Sequence, residues 1–123
     1  MRLILRELIK IKNRAVWSWY GFYHVAKTEG SFWQWIVANI ISGSLTFFIP
    51  ISYTQQALIL AGGILILAAE CINTAIERVV DDISTKQRAA AKHAKDAGSA
   101  AVAITAIATG VVWFIVIVDL LSR

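Results

Sequence analysis

The stretch that decides the fold is residues 55–83, QQALILAGGILILAAECINTAIERVVDDI. Its first half is apolar without interruption from Ala57 to Ala69, whereas its second half carries carboxylates. At about 1.5 Å of rise per residue, a helix of this length measures about 43 Å, more than the roughly 30 Å hydrocarbon core of a bilayer. We therefore predict a transmembrane helix over 55–83 whose last turns project beyond the membrane edge.

The rest of the chain has the composition of a membrane protein. Hydrophobic residues make up 58% of the 123 residues, and the mean hydropathy is +0.64. Soluble domains have roughly 45–50% apolar residues. We predict two further transmembrane helices over 32–49 and 97–121, with Pro50 ending the first of them, and hence a single all-α membrane domain. Three helices of this size enclose little space, so we expect a homo-oligomer.

Residues 1–28 have the spacing of an amphipathic helix. Apolar side chains recur at intervals of three or four from Ile4 through Leu8 and Ile11 to Trp19, with basic residues between them. A basic, aromatic segment is also found in nucleic-acid-binding proteins, but apolar residues between the charges favour anionic lipid headgroups. We therefore predict a helix that lies in the headgroup plane, and no nucleic-acid partner.

Positive charges are distributed unevenly along the chain. Of the twelve Lys and Arg residues, six precede Trp33, five lie between Arg78 and Lys95, and Arg123 is the last residue. Loops with an excess of Lys and Arg stay on the cytoplasmic side of a membrane. We therefore place the N-terminus and the connection after residue 83 in the cytoplasm.

Four polar residues share one face of the predicted helix over 55–83: Glu70, Asn73, Glu77 and Asp81. At about 100° per residue, their offsets place them within a stripe about 80° wide. A carboxylate at membrane depth is costly unless it is paired, hydrated or neutral, so Glu70 needs a reason to be there. A row of carboxylate and amide oxygens provides the donors that a magnesium-bound nucleotide requires. Glu70 and Asn73 would equally serve as a polar clamp between helices.

Charged residues at the cytoplasmic ends of the other two predicted spans extend this set. Glu29 precedes the span over 32–49, and Lys95 and Asp96 precede the span over 97–121. Carboxylates bind a hard metal ion and a lysine neutralises phosphate oxygens, so the combination suits phosphoryl transfer by positioning and charge stabilisation. Glu29 by itself would also serve as a helix cap.

Two segments resemble one family. Residues 70–81, ECINTAIERVVD, look like the signature of the prokaryotic diacylglycerol kinases, which has the form E-x-x-N-[ST]-A-I-E-x-x-x-D. Residues 94–102, AKDAGSAAV, resemble the second motif of that family. The likeness covers nearly the whole chain. It departs from the family at Trp33 and Trp35, where relatives often have Arg and Glu.

The resemblance implies an ATP-dependent, magnesium-dependent lipid kinase of the bacterial inner membrane. It implies a homotrimer whose active sites are shared between subunits at the cytoplasmic interface. On this analogy, Glu29 and Glu77 would hold the divalent metal, and Glu70 would act as general base toward the lipid hydroxyl. The nucleotide would contact a further set of polar side chains: Asn73, Glu77, Asp81, Lys95 and Asp96.

The lipid substrate that the resemblance implies is diacylglycerol, which would become phosphatidic acid. We assign its contacts to four residues: Glu70, Ser99, Lys10 and Trp19. Gram-positive relatives phosphorylate undecaprenol instead, and their second motif tends to replace the Gly-Ser pair that is Gly98-Ser99 here. Diacylglycerol is therefore the favoured substrate, and undecaprenol is the alternative.

A function of another class also fits the composition. A small transporter or a structural membrane oligomer would use Glu70 as an acid within the membrane. Neither function explains why Glu77, Lys95 and Asp96 gather at the predicted cytoplasmic edge, so we favour the kinase.

Overall fold

The computed structural model describes residues 1–123 as four helices: α1 (Arg2–Thr28), α2 (Gly30–Leu45), α3 (Tyr53–Ile83) and α4 (Ala89–Leu121). No residue is in a strand, which confirms the all-α prediction. α1 coincides with the predicted surface helix over 1–28. α3 covers the predicted span over 55–83 and begins two residues earlier.

Two of the helices, α3 and α4, are long and apolar enough to cross a membrane. α2 has 16 residues, so at about 1.5 Å per residue it measures about 24 Å and is shorter than the predicted span over 32–49. It ends at Leu45 and not at Pro50, because the chain turns at Thr46, whose backbone N–H and hydroxyl both bind the carbonyl oxygen of Gly43. Pro50 lies beyond that turn.

The start of α3 is fixed by a reciprocal pair of hydrogen bonds. The Ser52 hydroxyl accepts from the backbone N–H of Gln55 at 3.2 Å, and the Gln55 side chain accepts from the backbone N–H of Ser52 at 2.8 Å. This capping box satisfies donors that the first turn of a helix otherwise leaves free. The cap therefore extends the helix back to Tyr53.

α4 begins at Ala89, eight residues before the predicted start at Ala97. The three alanines over 89–91 have the highest helix propensity of any residue, so the polar segment before the span joins the helix. The predicted cytoplasmic connection over 84–95 is therefore reduced to residues 84–88, and Lys95 and Asp96 lie on a helix. Because Lys95 and Asp96 belong to α4, the regular helix fixes the positions of their Cα atoms.

Small side chains let the long helices approach closely. A Cβ atom on Gly62 would lie 2.5 Å from the Thr109 hydroxyl of α4, and one on Gly63 would lie 2.6 Å from Asn39 Oδ1 of α2. Asn39 Nδ2 in turn donates to the carbonyl oxygen of Gly63 at 2.9 Å. The most extensive interhelical packing is between α3 and α4, followed by α2 and α3.

The isolated chain buries few of its apolar side chains. Only 14 of the 123 residues are buried, whereas large residues such as Ile64, Ile104 and Phe114 expose more than half of their surface. Apolar surface of this extent needs lipid tails or other protein chains to cover it. This exposed apolar surface is typical of a membrane protein and not of a soluble monomer.

Candidate functional site at the ends of α3 and α4

The polar stripe of α3 runs from a buried end at Glu70 to an exposed end at Asp81. Glu70, Asn73 and Thr74 are buried, Glu77 is half-buried, and Asp81 is exposed at the end of the helix. Glu70 retains only 6% of its surface accessible in a chain that buries little else. Asn73 and Asp81 of the stripe thus lie at the contact with α4, whereas Glu70 lies beside Trp35 of α2.

Asn73 is the centre of the stripe. Its Nδ2 donates to Glu77 Oε1 at 3.1 Å, whereas its Oδ1 is buried and has no hydrogen-bond partner in the chain. Gly98 of α4 lies directly against this oxygen, because a Cβ atom on Gly98 would overlap with Asn73 Oδ1. A buried acceptor without a partner is unfavourable by about 1–3 kcal/mol, and such atoms gather at functional sites.

A basic cleft lies where the end of α3 meets the start of α4. It has a volume of about 570 Å³ and is lined by the connection over 84–88 and by the adjoining turns of α3 and α4. Lys95 Nζ binds Asp81 Oδ1 at 2.6 Å, and Lys92 pairs with Asp96. Three cations that the predicted site did not include also line the cleft: Lys86, Arg88 and Lys92. The charge asymmetry of this segment was the sequence signal for them.

Glu29 lies at the elbow between α1 and α2. It is the one extended residue between the two helices, with φ −111° and ψ 112°, and its side chain caps neither of them. Glu29 therefore occupies the N-cap position of α2, but its side chain makes no capping hydrogen bond. Its Oε1 instead accepts a hydrogen bond from Arg78 Nη2 at 3.0 Å.

Glu70 lies at the deepest point of the site. The Trp35 side chain of α2 lies beside it. Trp35 is thus the residue that this chain places next to Glu70. It occupies one of the positions at which the sequence departs from the family pattern.

The residues assigned to the lipid substrate are not gathered at Glu70 in a single chain. Lys10 pairs with Glu7 on the exposed face of α1, and Trp19 stacks on Phe22 with ring centroids 6.1 Å apart. Ser99 is exposed on α4, next to the buried Gly98. All three side chains are open to lipid or to a neighbouring chain.

The donor set suits a magnesium ion only in part. No three His, Cys, Asp or Glu side chains converge on one point within the chain. Magnesium, however, is commonly bound by one or two carboxylates together with waters and substrate phosphates. Glu77, which shares a hydrogen bond with Asn73, and Glu29, which Arg78 holds, are hard oxygen donors of the required kind.

The fold and the site are those of an all-α membrane protein with two helices long and apolar enough to cross a bilayer and a polar site on them. A model of the family described as prokaryotic diacylglycerol kinase matches residues 16–117. The match covers most of the chain and includes every residue of the polar stripe. The chain belongs to the prokaryotic diacylglycerol kinase family.

Curated relatives support this assignment. The chain is 36% identical to the diacylglycerol kinase of Pseudomonas aeruginosa over 102 residues, 81% of this chain and 83% of the relative. It is 31% identical to the diacylglycerol kinase of Escherichia coli over 108 residues, 88% of either chain. It is also 31% identical to the undecaprenol kinase of Bacillus subtilis over 112 residues, 89% of either chain.

Proposed function

We propose that this protein transfers the γ-phosphoryl group of ATP to the hydroxyl of diacylglycerol, which yields phosphatidic acid and ADP. The observation that carries the proposal is the buried row of Glu70 and Asn73 with Glu77 beside it, in a chain of this family. The relatives from Pseudomonas aeruginosa and Escherichia coli are named diacylglycerol kinases. Phosphoryl transfer needs positioning and charge stabilisation, which fixed carboxylates and lysines supply.

Glu70 is the general base in this proposal. A base must lie within hydrogen-bond reach of the proton that it removes, and the acceptor hydroxyl of a lipid lies at the edge of the membrane. Glu70 is the deepest of the charged residues on α3 and borders the apolar part of the helix. Ser99, Lys10 and Trp19 would contact the lipid from exposed positions on α4 and α1.

The nucleotide would lie toward the cytoplasm from Glu70. Asp81, Lys95 and Asp96 line the basic cleft, and Asn73 and Glu77 lie between the cleft and Glu70. The Lys95 ammonium, now paired with Asp81, would neutralise phosphate oxygens. Magnesium bound with ATP would be held by Glu77 and Glu29, and it would neutralise charge on the phosphoryl group.

The membrane arrangement in this proposal has three spans, with the N-terminus and the basic cleft in the cytoplasm. The third span is α2, which has no charged residue and is followed by the exposed aromatic side chains of Phe47 and Phe48. The protein would lie in the bacterial inner membrane as a homotrimer with shared active sites. The exposed apolar surface of α3 and α4 supports assembly, because a single chain leaves most of it uncovered.

The deciding experiment is transfer of labelled phosphate from ATP to lipid alcohols by the purified protein in lipid micelles with magnesium. We expect labelled phosphatidic acid from diacylglycerol, and loss of most activity in Glu77→Gln but not in Asp82→Asn, since Asp82 is exposed and unpaired. No labelled lipid from any alcohol would overturn the proposal. Near-normal activity of Glu77→Gln would overturn the assignment of Glu77.

The second candidate substrate is undecaprenol. The 31% identity to the undecaprenol kinase of Bacillus subtilis, equal to that with the Escherichia coli relative, is the observation that favours it. Parallel assays with both lipid alcohols at equal mole fraction distinguish the two. Ion or solute flux into sealed vesicles without consumption of ATP would instead indicate a transporter.

A further inference from the structure

One arginine joins the elbow between α1 and α2 to the middle helix. Arg78 Nη2 donates to Glu29 Oε1 at 3.0 Å and also to the Thr28 hydroxyl. α1 makes no other side-chain hydrogen bond or ion pair to another helix. Its remaining attachment is apolar, through the edge-to-face contact of Phe22 with Phe32 at 5.3 Å. Arg78 is therefore the polar attachment of the surface helix to the rest of the fold.

Besides Arg78, apolar packing through the buried Val25 and Phe32 holds the elbow. Glu29 alone connects the two helices, in an extended conformation, and no side chain caps α2. A change in the φ and ψ angles of this one residue would swing α1 relative to α2 and would move the Glu29 carboxylate with it. The position of that carboxylate relative to Glu77 thus depends on a contact from outside the elbow.

Arg78 has the geometry to supply that contact. It directly follows Glu77, so the two side chains leave α3 about 100° apart, one toward Asn73 and the other toward the elbow. A guanidinium carries five N–H donors in a planar fork and can bind two acceptors at once. Side-chain exposure is 39% for Arg78 and 30% for Glu29, so water screens this pair less than a surface pair.

We propose that Arg78 is a positioning residue, which fixes the elbow on α3 and thereby holds the Glu29 carboxylate against the turn of α3 that carries Glu77. This inference rests on the proposed kinase function, because it assigns Arg78 a role through Glu29. Arg78 need not touch either substrate. Since Glu77 is bound to Asn73 and Glu29 to Arg78, both acids are oriented by α3 before a nucleotide binds.

The test compares Arg78→Ala, Arg78→Lys and Lys27→Ala with the wild-type protein. Lys27 is the matched control, because it is an exposed cation in the last turn of α1 that makes no ion pair. We expect Arg78→Ala to lower kcat by roughly tenfold to a hundredfold, since small misplacements of a reacting group cost this much. It should also raise the magnesium concentration needed for half-maximal activity, because Glu29 would help to hold the metal. Arg78→Lys should recover part of kcat, and Lys27→Ala should match the wild type.

A second measurement reports on the mobility of the elbow and does not depend on enzyme activity. Hydrogen–deuterium exchange of the peptide over 24–32, in protein free of nucleotide and metal, should be faster in Arg78→Ala and unchanged in Lys27→Ala. If Arg78→Ala fails to fold, Thr28→Val provides the same test, because it removes one of the two acceptors and leaves Glu29 and Arg78 in place. It should give a smaller change in the same direction.

The outcomes separate this inference from the function on which it rests. A wild-type protein without transferase activity would overturn both. An active wild type together with an Arg78→Ala variant whose kcat is within about twofold of it would overturn only the positioning role. A raised KM for ATP with kcat retained would also overturn it, because Arg78 would then bind the nucleotide directly. A lower kcat with unchanged exchange at the elbow would contradict it as well.

Discussion

Asn73 Nδ2 donates a hydrogen bond to Glu77 Oε1 at 3.1 Å across one turn of α3, while Asn73 Oδ1 faces Gly98 without a partner. One side chain thus orients a carboxylate of the site and also fixes how closely α4 approaches. The amide has a favourable contact on one side and an unsatisfied acceptor on the other. Function and stability should therefore respond differently when it is replaced.

Asn73→Ala should remove most of the activity at little cost in stability. The variant loses the hydrogen bond that orients Glu77, and a misplaced group costs up to about a hundredfold in rate. It also loses a buried, unsatisfied acceptor, which offsets the lost packing. Thermal unfolding in detergent and lipid phosphorylation are the two measurements. Ile72→Ala, on the exposed side of α3, is the control. A Tm far below that of the control would contradict the prediction.

Gly98→Ala should lower both activity and stability, because its Cβ atom would overlap with Asn73 Oδ1. Extra atoms at a close helix contact typically cost 1–3 kcal/mol, so we expect Tm to fall by several degrees. Gly110→Ala adds the same methyl group where no heavy atom lies within 4 Å, and it should keep or raise Tm. Equal unfolding temperatures for the two variants would show that α4 tolerates the methyl group at Gly98.

Glu70→Gln should separate binding from turnover. A general base acts on the acceptor hydroxyl and not on the nucleotide, so the variant should bind magnesium-ATP about as well as the wild type while its kcat falls by about 10²-fold or more. Equilibrium binding of a non-hydrolysable ATP analogue and single-turnover transfer are the measurements. Lost nucleotide affinity with normal chemistry would make Glu70 part of the nucleotide site.

Trp113→Phe should weaken the fold without changing the chemistry. The Trp113 indole N–H donates to the Ser42 hydroxyl at 2.8 Å and joins α4 to α2. Hydrogen bonds of this kind within membranes contribute about 0.6–2 kcal/mol. Residue 113 lies about 27 Å along α4 from Lys95, so kcat should be retained. Unfolding of Trp113→Phe, Ser42→Ala and the double variant measures the coupling. Additive losses would exclude a direct interaction.

The periodicity of α3 was predictable because a helix repeats every 3.6 residues regardless of its surroundings. The offsets of Glu70, Asn73, Glu77 and Asp81 placed them on one face, and in the structure Asn73 and Asp81 meet α4 while Glu70 lies beside Trp35 of α2. The family assignment was also predictable, since both motifs are contiguous in the chain, and the family match confirms it.

Helix ends were less predictable, because local hydrogen bonds decide them. The end of α2 was placed at Pro50, yet Thr46 turns the chain first through its two bonds to Gly43. The third span was placed from Ala97, with some helix expected at the alanines over 89–91, and in the structure those alanines begin a single helix that continues into the span. A hydropathy average over a window of residues contains neither the hydrogen bonds of Thr46 nor the helix propensity of the alanines.

The sequence by itself determined the membrane character, the polar stripe of α3 and the family, because composition, helical period and motif spacing are properties of contiguous residues. Only the tertiary structure decided that Gly98 meets Asn73 and that Arg78 holds Glu29, 49 residues away. Such pairs depend on how the helices cross and where the elbow places α1. These are set by packing between distant segments, which no local pattern in the chain records.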